Sequence, residues 1–266
     1  MKMTVGYLGQ SFIAALDILG VSQLMSNASA KDLRRIADTI TVPFESIKSC
    51  MPEFLHGLHD SKWEKSYLDI LSATTSFHNF SDTLVITCRP DLSPSNGVKT
   101  AIMLFFVQVR LAVYELIMSG YPVRGCIDAG FVYHADRIVV GRPYINAHSL
   151  GESLDFSGVI VTDNAIRFAC DFEYGQVISA MTLPLYVSTK QGEKLCHCLN
   201  WLVPPNKNST NPDISKLINI KQFLYEKFSE HGKVINTSVL QKITNTENTI
   251  RAFILQDKRR LQEFPK

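Results

Sequence analysis

The chain has 266 residues, 45% of them hydrophobic and 20% charged, with a formal net charge of +2. This length buries a sizeable core, as one domain with an appendage or as two small domains, and the charge balance excludes a dedicated nucleic-acid binder, which carries a concentrated basic face. Six cysteines scattered through a chain too large to need stapling indicate a reduced, cytoplasmic setting.

No secretory signal is expected, because the run after Met1-Lys2-Met3 is interrupted by Asp17. Residues 12–16 form a short apolar run that predicts a buried strand, ending in Asp17-Ile18-Leu19-Gly20-Val21-Ser22, where Gly20 and Ser22 are turn and cap residues that open a helix. Helical spacing of Leu33, Ile36, Ala37 and Ile40 predicts a helix over 30–40 with Ser29 as its N-cap, and a second helix spans 44–58. Polar residues 60–65 read as a loop. Residues 74–87, rich in Thr, Phe, Val and Ile, predict a hairpin with Asp82 at its tip.

A loop with Pro90, Pro94 and Gly97 precedes a long helix over 98–119, capped by Asn96 and ended by Gly120. Its span carries Gln108, Arg110 and Glu115, which argues for a core helix and against a membrane crossing. Residues 123–133 read as a strand that returns as 137–140, with Gly125 and Gly130 marking a bulge or a close backbone approach. A helix ending near Glu152, a strand at 159–161, a helix over 165–171 capped by Asp163, and strands at 183–189 and 195–202 follow. Cys196 and Cys198 flank His197 on a strand with no second ligand pair, so no metal site is expected there. Residues 204–213, full of Pro, Asn, Ser and Thr, separate a domain over 1–203 from a helical extension over 214–266 that ends in the basic run Lys258-Arg259-Arg260.

This order predicts an α+β architecture, an antiparallel sheet with helices packed on one face plus C-terminal helices. In such a sheet Asp17 and Asp82 become neighbours. Two carboxylates at adjacent strand ends suit a pair of divalent cations in phosphoryl transfer, and magnesium takes its remaining ligands from water and phosphate. The turn from Ile18 to Ser22 offers backbone N–H groups to a triphosphate, and Arg124 offers a bidentate guanidinium. An arginine on a sheet also serves simply to pair a nearby acid.

The stretch Asp17-Ile18-Leu19-Gly20-Val21-Ser22 resembles the Asp-Ile-x-Gly-Phe-Thr/Ser motif of class III nucleotidyl cyclases, with Val21 in place of Phe. Ser81-Asp82 stands where that family has Gly-Asp, and residues 124–132 resemble its Arg-x-Gly-Ile-x-x-Gly-x-Val strand with the first glycine displaced to Gly125. The resemblance covers residues 10–165. It is strongest to the stand-alone bacterial pyrimidine cyclases of Pycsar antiphage defence, through Phe80-Ser81-Asp82, Arg124-Gly125, Leu199-Asn200-Trp201 and Asn245-Thr246.

The resemblance implies a ferredoxin-like palm core and two Mg2+ or Mn2+ ions per site, held by Asp17, Asp82 and the Ile18 carbonyl. It implies a triphosphate bound by Ile18, Gly20, Val21, Ser22 and Arg124, and a head-to-tail homodimer with shared sites. The family's transition-state Asn and Arg positions fall on Ile145 and Ser149, leaving Asn146 as the neighbouring candidate. The purine-contacting Lys position is His78, followed by Asn79, which fits a pyrimidine, UTP before CTP. A cyclic nucleotide would act on a separate effector, with no nucleic acid or membrane as partner. The alternatives are an inactive cyclase-like nucleotide sensor, another palm-type nucleotidyl transferase, or an interaction module.

Overall fold

The fold is described by a computed structural model over residues 6–21, 28–29, 31–34, 37–38, 41, 45, 61–94, 97–135, 138–202, 219–230 and 236–263. At its centre runs β1, Tyr7–Ile18, longer at both ends than its apolar run suggested. Strand alternation sends Phe12, Ala14, Leu16 and Ile18 to one face of the sheet and Ser11, Ile13, Ala15 and Asp17 to the other. Both faces are covered along most of its length, which is why the run reads as continuously apolar.

β2 (Thr75–Phe80) and β3 (Thr83–Cys88) form the expected hairpin, with Ser81 and Asp82 as its turn. β4 (Val123–Ala135), β5 (Ile138–Val140), β6 (Gly158–Val161), β7 (Thr182–Thr189) and β8 (Gly192–Leu199) complete an eight-stranded sheet. Its order is β2-β3-β1-β4-β6-β8-β7, with β5 on β4. Every pairing is antiparallel except β4 with β6, which is parallel. The exception arises because a helix, α3 (Arg142–Ser153), carries the chain across the sheet between those strands.

The helices α1 (Ser61–Thr74), α2 (Val98–Met118), α4 (Asp163–Asp171) and α5 (Gly175–Met181) bury their apolar residues with Phe12, Leu16 and Ile86 in one core. Phe12 meets Phe105 and Phe106 of α2 and Phe168 of α4 at ring separations of 5.7, 5.7 and 4.9 Å. α2 is long and apolar enough to cross a bilayer, and here it is the central core helix, with Gln108 fully buried inside. α3 lies on the opposite face, where Tyr144 packs on Ile13, Val85, Val132 and Val139. A Cβ on Gly151 would come within 3.1 Å of the Gly125 Cα, so the close approach expected near Gly125 is where α3 rests on β4.

Several local expectations change. Residues 61–65 begin α1 instead of a loop, because Tyr67, Leu68, Ile70 and Leu71 further along pack on the core and draw the polar first turn into the helix. Gly97, not Asn96, is the cap residue of α2, and Asn96 lies outside the described residues. Thr162, not Asp163, caps α4, its hydroxyl accepting from the Ala165 N–H at 3.1 Å. The short helix α5 was not anticipated. Ser29 does form a capping box with Asp32, and residues 31–34, 37–38, 41 and 45 are helical, while the rest of the helices expected at 30–40 and 44–58 and the segment 204–213 lie outside the described residues.

Two further helices, α6 (Ile220–Glu230) and α7 (Thr237–Glu263), pack on the core through Ile220, Leu224, Ile243, Ile250 and Phe253. α7 is also pinned by polar contacts. Asn245 Nδ2 donates to the Asp155 carbonyl at 2.8 Å, and Thr246 Oγ1 accepts from the Ser157 N–H at 2.8 Å. Thr246 is fully buried and Ser157 nearly so, so Thr246→Val strands a buried N–H. Its expected cost is about 1–3 kcal/mol in the urea unfolding free energy, with unchanged m-value.

Candidate active site

Asp17 is the penultimate residue of β1, where register sets it opposite Thr83 on β3 and Arg124 on β4. The chain leaves the strand through Leu19 and Gly20, and Gly20 takes φ +86°, a left-handed value that glycine adopts without penalty. Two backbone bonds fix this corner: the Ile18 N–H donates to the Asp82 carbonyl at 3.0 Å, and the Leu19 N–H to the Pro122 carbonyl at 2.8 Å. The hairpin turn carrying Asp82 is thereby tied to the end of β1. Ser81 accommodates the tight turn at φ +57°.

Arg124 Nε donates to Asp17 Oδ2 at 3.0 Å, and its terminal nitrogen lies 2.9 Å from the same oxygen. The other terminal nitrogen donates to the Glu152 carbonyl at 2.9 Å and the Leu154 carbonyl at 3.5 Å, at the C-terminal end of α3. That end carries the negative pole of the helix, so the guanidinium is held by both charge and direction. The Arg124 and Asp17 side chains are 12% and 20% exposed. Burial raises the Asp17 carboxyl above its usual range, Arg124 opposes that shift, and the nearby charges of Asp82 and Glu152 add to it.

Beside this pair lies a cavity of about 240 Å³ lined by Asp17, Ile18, Leu19, Gly20, Pro122 and Arg124 on one side. The other side is Ser157 together with Asn236, Ser238, Val239, Lys242 and Ile243 of α7 and its cap. Sequence reasoning missed this second wall because its contacts span more than 200 positions. The pair Asn245-Thr246, noticed only as a resemblance, was its one local trace.

Of the anticipated site residues, Asp17, Ile18, Gly20 and Arg124 share the cavity. Asp82 is buried just beyond its lining. Val21 begins a helical turn with its side chain in the core, and Ser22 lies outside the described residues. His78 sits on β2 on the Asp17 face, its ring stacked on Phe80 at 6.4 Å, in a row continued by Tyr144 and His148. Burial, and secondarily the charge of Arg89, lower its pKa and favour the neutral imidazole. Asn79 points to the opposite face and is exposed.

Asn146 is not brought to the cavity. Its amide nitrogen donates at 3.0 Å to Asp128 Oδ2, a fully buried carboxylate that also accepts from Thr162 Oγ1 at 2.5 Å. Asn146 therefore ties α3 to β4, while Ile145 and Ser149 face outward from α3.

Among the described residues no three His, Cys, Asp or Glu side chains converge. The donors at this corner are instead two carboxylates and the Ile18 carbonyl, hard oxygens that leave coordination positions for water and phosphate. That donor set fits magnesium or manganese, and the raised Asp17 carboxyl is the environment that a divalent cation relieves.

The raised Asp17 carboxyl has a definite sign in stability. The folded chain holds this proton more tightly than the unfolded chain, so the contribution is fully present below the unfolded value of about 3.9 and is lost as pH rises through the higher folded value. Asp17→Asn removes the titration. The stability of the native protein relative to Asp17→Asn is therefore expected to fall with rising pH from about pH 4 upward, measured by urea unfolding of both proteins across that range.

No protein-family model matches the chain, and no curated protein matches it. Among solved structures it is similar to the adenylyl cyclase CyaB from P. aeruginosa, at 13% identity and TM-score 0.41, over 73% of this chain and 94% of that one. It is similar to the guanylyl cyclase Cya2 at 12% identity and TM-score 0.42, over 73% and 92%. It is similar also to the catalytic core of a rhodopsin-guanylyl cyclase with converted specificity in complex with ATPalphaS, at 14% identity and TM-score 0.45, over 74% and 98%.

Proposed function

We propose that the chain is a metal-dependent class III-type nucleotidyl cyclase that converts a pyrimidine nucleoside triphosphate, UTP before CTP, to a 3′,5′-cyclic nucleotide and pyrophosphate. Its setting would be cytoplasmic antiphage defence, with the product read by a separate effector. The observation that carries the reading is the register placing Asp17 beside Arg124 and beside the Asp82 turn, at the wall of a cavity lined by both polar and apolar groups. The Asp17-Ile18-x-Gly20 motif of the resemblance thus coincides with a corner built of hard oxygen donors, a guanidinium and a glycine turn.

Mg2+ or Mn2+ would be held by Asp17, Asp82 and the Ile18 carbonyl, and would supply Lewis acidity toward the attacking 3′-oxygen and the leaving pyrophosphate. The N–H groups of Ile18 and Leu19 are committed to Asp82 and Pro122, so the described amides left for phosphate in this turn would be those of Gly20 and Val21. Arg124 would exchange its bond with Asp17 for one with phosphate oxygens while the Glu152 carbonyl keeps its guanidinium in place. Neutral His78 and the ring of Phe80 would offer the base a hydrogen-bonding group and a stacking face. Asn146, bonded to Asp128, would position α3, leaving charge at the α-phosphorus to Arg124.

We take residues 1–203 as the cyclase domain, 204–213 as a linker and 214–266 as its extension. A homodimer belongs to the same reading. Leu8, Phe131, Tyr133, Ile138 and Val140 share one face at the end of the β1, β4 and β5 ladder and are 70, 66, 40, 56 and 58% exposed. A clustered apolar face of this kind suits burial against a second copy.

Purified protein supplied with each of the four ribonucleoside triphosphates and Mn2+ is expected to make a cyclic product, most rapidly from UTP. Asp17→Ala and Asp82→Ala are each expected to lower the rate at least 100-fold, in line with the loss of electrostatic stabilisation in the transition state. Absence of cyclic product from all four triphosphates refutes the enzyme reading, and full activity in either variant refutes the metal assignment. The double variant Leu8→Asp/Phe131→Asp is expected to run as a monomer in light scattering and to lose activity. A monomer with native activity would refute the shared site.

A further inference from the structure

The C-terminal helix does more than cover the core. Its anchor points, Asn245 and Thr246, are bonded to the backbone of Asp155 and Ser157. One turn earlier on the same side comes Lys242, and a further turn back come Ser238 and Val239, the spacing that keeps all of them on one helix face. That face is the cavity wall opposite Asp17 and Arg124. Lys242 is half-buried, its backbone carbonyl accepts from Thr246 Oγ1 at 2.7 Å, and among the described residues its ammonium makes no ion pair.

The cavity therefore faces a guanidinium paired with Asp17 on one side and, on the other, an ammonium that makes no ion pair among the described residues. Arg124 is neutralised by Asp17, whereas Lys242 looks across at Arg124, Asp155, Lys190 and Asp17. Burial and the charge of Arg124 lower its pKa, Lys190 adds to that shift, and the carboxylates of Asp155 and Asp17 oppose it without cancelling it. A phosphate chain supplies what is missing: several oxygens able to accept from both cations at once across a gap lined by Ser157, Asn236 and Ser238, which add hydrogen-bonding groups. An aliphatic ligand would leave the ammonium desolvated and unpaired.

We propose, resting on the nucleotide reading above, that Lys242 is a substrate-binding residue that takes the phosphate chain of the triphosphate together with Arg124. The C-terminal helix then completes the phosphate end of the site from within the same chain, whatever a second copy contributes at the base end.

The test is isothermal titration of the full-length protein with inorganic tripolyphosphate and Mg2+, beside cyclase assays on the same preparations. Lys242→Met keeps the aliphatic stem and removes the charge, Lys242→Arg restores it, and Arg251→Ala removes an exposed charge from the same helix, away from the cavity. Loss of one charge-assisted bond predicts binding about tenfold weaker in Lys242→Met, with native affinity in Lys242→Arg and Arg251→Ala and with melting temperatures near that of the native protein. Cyclase KM is expected to rise in Lys242→Met by a similar factor.

Native affinity in Lys242→Met, equal weakening in Arg251→Ala, or no binding of tripolyphosphate by the native protein each overturns the inference. A failure of the cyclase reading looks different. Tripolyphosphate binding would still depend on Lys242 while no triphosphate gave a cyclic product, and the anion site would stand without that chemistry.

Discussion

The ion pair between Asp17 and Arg124 organises this molecule. Burial raises the pKa of this half-buried carboxylate at the end of a central strand, and a cation at short range opposes that shift. Arg124 supplies that cation from the neighbouring strand, and the carbonyls ending α3 hold the guanidinium in turn. The sheet order, the crossover through α3 and the glycine contact that seats α3 on β4 all bear on where that guanidinium stands. A pair so placed is only moderately stabilising, because desolvation offsets much of the attraction. Its interest lies in being exchangeable: in the function proposed above, each partner would have an alternative counter-ion in a metal–phosphate ligand.

The two faces of the sheet divide the work. On the Phe12 side, four helices make a continuous apolar core, rich in aromatic contacts that fix β1 in depth and direction. On the Asp17 side one helix covers part of the sheet, and the remainder carries Ser76, His78, Phe80 and Thr83. Chemistry requires accessible groups on a rigid base, and this face offers the half-buried Ser76 and His78 and the exposed ring of Phe80 on a sheet braced from behind.

Much of this was legible in the sequence where the signal is local. The apolar run before Asp17, the hairpin around Ser81-Asp82, the long apolar helix between Gly97 and Gly120, and the two-glycine strand after Pro122 each carry their own periodicity or punctuation. Asp17, Asp82 and Arg124 follow from these, since adjacent strands with known ends bring their termini together. What was hidden depends on distant partners. The polar first turn of α1 is helical because of packing further along, the parallel pairing of β4 with β6 depends on where α3 crosses, and Asn146 could be assigned only once Asp128 was seen beneath it. Lys242 is one lysine among many until the fold closes its helix over the cavity.

The connector between α3 and β6 carries two loads. The carbonyls of Glu152 and Leu154 hold Arg124, and the backbone of Asp155 and Ser157 holds α7. Opposite walls of the cavity are thus mounted on the same short length of main chain. A displacement of the C-terminal helix cannot open the cavity without pulling on the bracket that aims the guanidinium. Helix α7 and the end of β1 are therefore joined through one bracket of six consecutive residues, Glu152 to Ser157.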